Sequence, residues 1–473
     1  MKTKNEWMMQ LAGATRIIGI VPRVKATADR ESRPTTLAVY DCGESVFRPK
    51  LEVPDEQSEL DFVLGCMPVK WRKVTEGEDL KGFKEHHIIM KKDPEDNKKF
   101  VADKVPAAYE GLKKGDVIVM SLGGSGDNFA FALSRQADEI GALVLRCPPF
   151  QLKEARLELV KTDPKNETLD DSFVLVQMVK AGPDKFYPVF VRERKLTRMR
   201  GCYQRRIDVM KARIACEQRL RQRFIGEIFC SAEGKYPEGA LEKEFNAIAA
   251  NDAVLGALIT EEHSADLALN KACMELPVFT EVFKQVSGIG PAIASRLISA
   301  IQDIRRFETK WKLRKFCGVH CMNDGHFPRR RKGETSNWNP DCRQALFLLG
   351  DQFNRQVKKG TFWGNKLLTN KKYYRDKYPV PVEVVNSKGK KIKNYTDGHI
   401  QKRALWKTLG EFVEWLFGEW WRLEKAHSAN IPFVVTGPTD PVENPGDGPT
   451  DDATATDESG GNTTDESSEE KAA

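Results

Sequence analysis

Three groups of residues in this 473-residue chain have the types and spacing to do chemistry. The first is a set of carboxylates. Asp41 closes an apolar stretch ahead of Gly43, Asp163 ends the run Lys161-Thr162-Asp163, and Asp170-Asp171 opens another apolar stretch. Carboxylates projected from a strand end and a nearby helix supply the hard oxygen ligands that Mg2+ takes, and two such ions can polarise a phosphodiester and activate a hydroxyl. The same spacing equally describes solvated acids at strand ends, with Asp170 as a helix N-cap. The second group is Ser287-Gly288-Ile289-Gly290-Pro291, followed by an alanine-rich helical segment. Glycines two positions apart make a tight turn between helices, and backbone N–H groups there and at the next helix N-terminus can hold a DNA phosphate. A plain interhelical turn is the alternative. The third group, Cys317, His320, Cys321, His326 and Cys342, falls within 26 residues and could hold zinc, but it lacks the usual two-knuckle spacing.

Cations surround the glycine turn. Arg305, Arg306, Lys310, Lys312, Arg314 and Lys315 follow it, and Arg329-Arg330-Arg331-Lys332 comes later. The net charge of +7 hides an asymmetry: Thr436 to Ala473 carries eleven Asp and Glu against one Lys, leaving +17 on the 435 residues before it. A basic body implies a polyanionic partner, the alternative being a merely soluble basic protein. Between Arg192 and Arg223, ten Arg and two Lys face three acids, which predicts phosphate contact or else a solvated helical face. Most tryptophans are expected in the core, whereas Trp338, in a polar stretch, is placed to stack on a base.

These residues need elements to position them. Residues 1–34 read as a basic, irregular N-terminal segment. Thr35 to Tyr40 reads as a buried strand, and His87 to Met90 as another. Val117 to Leu122, a helix from Asn128 to Gly141 and Ala142 to Arg146 read as a β-α-β unit, so 35–189 is an α/β domain. From Leu196 to Ile228 apolar residues recur at three- and four-residue steps along one long helix. A second run, Leu241 to Leu276, folds back on it, making 190–276 a helical, coiled-coil hairpin. Residues 277–432 form a mainly α domain, and the acidic tail 433–473 cannot bury enough apolar surface to offset its ordering entropy. Ten cysteines without a C-x-x-C pair and no signal-peptide pattern predict reduced thiols and a cytoplasmic, nucleoid-associated protein. The apolar patch Ile17 to Val21 is too short to span a membrane.

In order and architecture the chain resembles the DEDD-type transposases of the insertion-sequence family IS one-ten, the bridge-RNA-guided recombinases. The matching stretches are Leu37 to Gly43 around Asp41, Val117 to Leu133, Pro148 to Lys153 with the KTD run, Ser287 to Val319, and Gly398-His399-Ile400 with Ala404. The resemblance implies an N-terminal RuvC-like (RNase H-like) domain, a coiled coil, and a C-terminal transposase domain with a helix-hairpin-helix element.

It also implies a mechanism. Four acids would hold Mg2+, among them Asp41, Asp163 and Asp170, with Asp171 an equal substitute for Asp170. A serine of the C-terminal domain would attack a DNA phosphate, conserving the phosphodiester energy in a covalent intermediate. Ser336 is the candidate. Ser287, Gly288, Gly290, Arg305, Arg306, Arg329, Arg330 and Arg331 would contact DNA, a structured RNA would guide the choice of site, and the protein would work as a homodimer or tetramer. Two positions depart from the family pattern. Met120-Ser121 stands where the family places a Glu, with Asp116 and Asp127 out of phase nearby, and Asn323-Asp324-Gly325 stands where it places Ser-Gly. A catalytically degenerate binding protein and a metal-dependent junction nuclease are therefore the rival expectations.

Overall fold

A computed structural model describes residues 4–23, 33–75, 77–92, 99–122, 126–160, 170–234, 239–322, 327–329, 336–385, 391–429 and 432–433. The chain divides into two compact units. The first holds residues 1–201, 302–308 and 425–432, and the second holds the rest.

The first unit begins earlier than the sequence suggested. Residues 1–34, expected to be irregular, contain α1 (Lys4–Ala12) and β1 (Arg16–Val21) among their described residues. Strands β2 (Thr35–Asp41), β3 (Val46–Phe47) and β4 (Leu51–Val53) follow, then α2 (Glu56–Val63). An antiparallel three-stranded sheet comes next, β5 (Met67–Lys73), β6 (Ile89–Lys92) and β7 (Phe100–Glu110), ordered β5-β7-β6. The sequence reading missed it, because its strands are largely exposed and carry no buried run; of His87 to Met90, a 3-10 turn takes Glu85–His87 and only Ile89 and Met90 are strand. The β-α-β unit is as expected: β8 (Asp116–Ser121), α3 (Asp127–Ile140) and β9 (Leu143–Cys147). Gly141, at φ 80°, closes α3 in the left-handed region. Pro149 opens α4 (Pro149–Val160), then come α5 (Asp171–Ala181) and β10 (Tyr187–Pro188).

The main sheet runs β10-β9-β8-β1-β2-β3, with β4 also on β2. Strand β1 lies at its middle, parallel to β8 and antiparallel to β2, and β8 is parallel to β9. Its apolar residues alternate between two cores. Ile18, Ile20, Ile118 and Met120 meet α2 and α3 on one face, and Ile17, Val117 and Val119 meet α1, α4 and α5 on the other. Covering both faces is what a parallel strand set requires. It is an α/β mixed-sheet domain.

Helix α6 (Val191–Phe229) leaves this unit and continues into the second. There α7 (Leu241–Asn251) and α8 (Ala253–Met274) run back along it. The expected second run is thus two helices, parted at Asp252, whose carboxylate caps α8 by accepting from Leu255 N at 2.8 Å. Leu220, Phe224, Phe245 and Leu255 form the seam. Helices α9 (Pro291–Ile301), α10 (Lys310–Cys317), α11 (Pro340–Gln356) and α12 (Phe362–Lys377) follow, then a ribbon of β11 (Val382–Val385) and β12 (Lys391–Asn394), then α13 (Asp397–Ala429). Phe353, Trp363, Phe412 and Trp420 lie buried in the second unit, but the expectation that most tryptophans lie in the core holds only in part: Trp7, Trp363 and Trp420 are buried, whereas Trp71 and Trp311 are exposed. The acidic tail lies outside the described residues beyond Phe433.

Gly19 fixes how α5 sits on the sheet. A Cβ there would stand 1.9 Å from Ser172 O and 3.1 Å from Val176 Cγ2, so only glycine admits the first turn of α5 against β1. Gly19→Ala should force α5 off the strand and cost about 1–3 kcal/mol, the usual penalty for overpacking. Thermal unfolding followed by circular dichroism checks this; an unchanged transition would show that α5 can shift freely.

Candidate functional site

The carboxylates come first. In open α/β sheets ligands bind outside the carboxyl ends of the parallel strands. Here those ends are Val21 of β1, Ser121 of β8 and Cys147 of β9. Asp170 reaches this edge. It caps α5 by accepting from Ser172 N at 3.0 Å, receives Thr36 Oγ1 at 3.4 Å, and pairs with Lys50 at 2.6 Å, while Thr36 lies opposite Val21. Burial alone would raise the Asp170 carboxyl, but Lys50 and the cap hold it below its ordinary value. Asp171 beside it is bound to Arg156.

Asp41 does not join them. It lies opposite Arg16, at the other end of the β1–β2 pair, roughly 16 Å from Thr36 at the ordinary strand rise. Its carboxylate accepts from Gly43 N and Glu44 N at 3.1 and 3.3 Å and pairs with Arg48 at 2.6 Å. The Arg48 hydrogen bond holds it below the usual carboxylate range. The expected convergence of Asp41 with Asp170 is therefore corrected: an antiparallel hairpin carries Asp41 to the opposite edge. Asp163 lies outside the described residues. Of the two acids left unassigned, Asp116 is buried and bridged by Arg16 at the amino edge. Asp127 opens α3 between Arg146 and Arg200, at 2.7 and 2.6 Å. Arg146 also donates to Ser121 O at 3.0 and 2.8 Å. The carboxyl edge of β8 and β9 is thus cationic on balance.

Several expected DNA contacts are turned inward. Arg305 is 4% exposed and grips Asp303 through Nε and Nη2 at 2.9 and 2.6 Å, with its guanidinium 4.6 Å from the Tyr187 ring centre. Arg306 is half-buried, donates to Gln302 Oε1 at 3.1 Å, and burial lowers its guanidinium. Both are held within the protein by these contacts, so the expectation that they face DNA is corrected. Along α6, Arg205 and Arg213 pair with Glu261 and Glu262, Arg206 with Asp266, and Arg221 with Glu242. These ion pairs fasten the helical hairpin. Exposed Arg198, Lys211, Arg219 and Arg223 carry no ion-pair partner among the described residues, which a count of charges could not distinguish from the paired ones.

A tight turn forms at the glycine pair. A π-turn over Val278–Val282 and a 3-10 turn over Phe283–Gln285 lead into it, and α9 leaves it at Pro291. Gly288 has φ 93°, and a Cβ there would meet Gln352 Cβ at 3.2 Å. Ile289 points into the core, where it is 7% exposed, while Ser287 and Gly290 face solvent. Buried Ile289 anchors the turn from below, its N–H donating to Val286 O at 3.1 Å, and leaves Ser287 and Gly290 exposed. Exposed Lys284 and Lys315, without ion-pair partners among the described residues, stand on either side of it in sequence. Lys284, a lone lysine in an apolar run, escaped the sequence reading; its signal was its place three residues before Ser287.

Residues 280–352 match the family model described as "Transposase IS116/IS110/IS902 family". No curated protein matches the chain. The matched stretch takes in the glycine turn, α9, α10 and most of α11.

Ser336 lies inside that stretch, half-buried ahead of Asn339, whose side chain caps α11 by accepting from Cys342 N at 2.8 Å. Its unit is not that of Asp41 and Asp170. Arg329 is exposed, and Arg330 and Arg331 lie outside the described residues. Trp338 is not a free stacking surface: it is half-buried, packed on Gly318, with the Arg343 guanidinium 5.0 Å from its ring centre. The zinc set does not assemble among the described residues. Cys317 and Cys342 meet at 3.0 Å in the core, but Cys321 is exposed and His326 is undescribed. No helix among the described residues is long and apolar enough to cross a membrane.

The inward Asp303–Arg305 pair yields a pH test. Burial would raise the Asp303 carboxyl, yet Arg305 overcomes this and holds it low. A depressed folded value means the pair stabilises fully above the unfolded carboxylate pKa, about 3.9, and the contribution fades as pH falls through the folded value. Asp303→Asn should cost about 3–5 kcal/mol at pH 7 by removing the bidentate partner of a buried guanidinium and leaving it the longer contact to Glu193 at 3.4 Å. The variant and wild-type stabilities should converge toward pH 2 in denaturant titrations. A gap that stays constant with pH would remove the pair from the cause.

Proposed function

We propose that the protein acts on DNA as a transposase-type protein of an insertion sequence. The match over 280–352, lying on a glycine turn between helices, carries this reading. Such a turn grips the sugar–phosphate backbone through N–H groups and reads no bases, so it gives affinity without sequence choice. Unpaired Lys284 and Lys315 would add charge beside it, and Arg198, Lys211, Arg219 and Arg223 would serve a nucleic acid along α6.

Cutting by the family's chemistry would ask for Mg2+. The described carboxylates do not fit such a centre. Asp41 stands at the wrong edge, Asp170 and Asp171 are already held by Lys50 and Arg156, and the strand ends that should project acids carry Val21 and Ser121. No metal-dependent step is therefore derived. This favours the holding form of the proposal, in which the chain grips DNA during transposition and does not cleave it.

The second reading is a cutting, RNA-guided recombinase. Its attacking hydroxyl would be Ser336 and its oligomer a dimer or tetramer, since exchanging paired strands needs more than one centre. It rests on the transposase match alone.

One experiment separates them. In fluorescence anisotropy with duplex DNA, log K should fall linearly with log salt, and Lys284→Ala with Lys315→Ala should flatten the slope by about 2. Binding that ignores salt and both lysines would remove the DNA reading. Incubation with Mg2+ should leave no nicks and no covalent adduct. An adduct that Ser336→Ala abolishes would establish the cutting form instead.

A further inference from the structure

Away from the sheet edge, α2 and the small three-stranded sheet are joined by a cluster that neither the transposase match nor the proposed function uses. Asp61, near the end of α2, is 2% exposed. Two imidazoles converge on one of its oxygens: His86 Nε2 lies 2.9 Å and His87 Nε2 2.8 Å from Asp61 Oδ2. His87 is 2% exposed and His86 faces solvent. Cys66, just before β5, places Sγ 3.6 Å from Asp61 Oδ1. Lys84 Nζ sits between them, 3.0 Å from Asp61 Oδ1 and 2.9 Å from Cys66 Sγ.

We propose that Asp61, His86 and His87 form a binding site for a zinc-class transition metal. The three ligand atoms of Asp61, His86 and His87 all lie within 4.8 Å of one another, the one such group among the described residues. Zinc bonds of roughly 2.0 Å to nitrogen and oxygen put tetrahedral ligands about 3.3 Å apart, so the 2.8 and 2.9 Å contacts need open by only a few tenths. Imidazole donors suit zinc, cobalt or nickel, whereas Mg2+ prefers oxygen throughout. His87 Nδ1 has no hydrogen-bond partner, so no neighbour there locks the ring in the tautomer that donates from Nε2. On binding, each imidazole proton moves to Nδ1 or to solvent, and the ion would bond both Nε2 atoms and a carboxylate oxygen, with water as fourth ligand.

The ammonium of Lys84 occupies the place of the cation in the metal-free state. Its side chain is 41% exposed, so it can swing into water when a divalent ion takes over its contact with Asp61. The site would clip the β5-β7-β6 sheet, through the 3-10 turn Glu85–His87, to the helix that backs the main sheet.

Cobalt titration of the full chain tests this, cobalt serving as a coloured substitute for zinc. One ion per chain should bind with the visible bands of tetrahedral Co2+, and zinc should bleach them. His86→Ala, or the milder His86→Gln, should weaken binding at least about tenfold, the scale on which ligand-sphere changes act, while leaving helical dichroism intact. Lys84→Met should strengthen binding by removing the competing cation, a change that a mere salt-bridged clamp would not produce. No uptake by the wild type, octahedral all-oxygen cobalt, or uptake indifferent to His86 and to Asp61→Asn would each overturn the proposal.

Discussion

The first unit depends on one close approach, the backbone of Ser172 against Gly19. Strand β1 is central and parallel to β8, so it must be covered on both faces, and α5 covers one of them only where β1 has no side chain. That contact sets the start of α5 at the carboxyl edge of the sheet. Asp170 caps the helix there, and Lys50 and Arg156 neutralise the two carboxylates that result. A helix displaced by one turn would bury different residues and carry the acids elsewhere.

Much of the positive charge along α6 is spent on ion pairs within the protein. The +9 excess between Arg192 and Arg223 looked like one phosphate-binding face. In three dimensions four of its arginines fasten α6 to α7 and α8, and two more, Arg194 and Arg200, hold acids of α3. Arg305 offsets the desolvation of Asp303. The cations left over are fewer, and those near the glycine turn are lysines, whose compact, hydrated charge suits backbone contact without geometric selection.

Gripping and cutting make different demands on a fold. A glycine turn that holds phosphate needs one left-handed residue, one buried anchor and an exposed residue beside it, all local and all present at Gly288, Ile289 and Gly290. A metal centre needs acids from distant parts of the chain at one edge, and here the strand ends carry Val21 and Ser121. The family match falls on the first kind of feature.

The local features were legible in the chain alone. The β-α-β unit around Gly126 and Gly141, the long stripe from Leu196 to Ile228, the Asp170 cap and the glycine turn all follow from periodicity and turn chemistry over a few residues, where near neighbours decide the outcome. Strand β1 was also visible as RIIGIV, but it was passed over as a short patch within a basic segment. What only the tertiary structure decided was direction and partnership. Asp41 ends a strand as expected, yet pairing β2 antiparallel to β1 sends it away from Asp170. Arg305 and Lys284 are both cations near one turn, yet one is sealed against Asp303 and the other faces water. Asp61, His86 and His87 carry no spacing signal, because only the docking of a 3-10 turn onto α2 brings them together. Local preference acts over one or two turns of chain, whereas strand direction and ion pairing are settled by which distant surfaces must be buried.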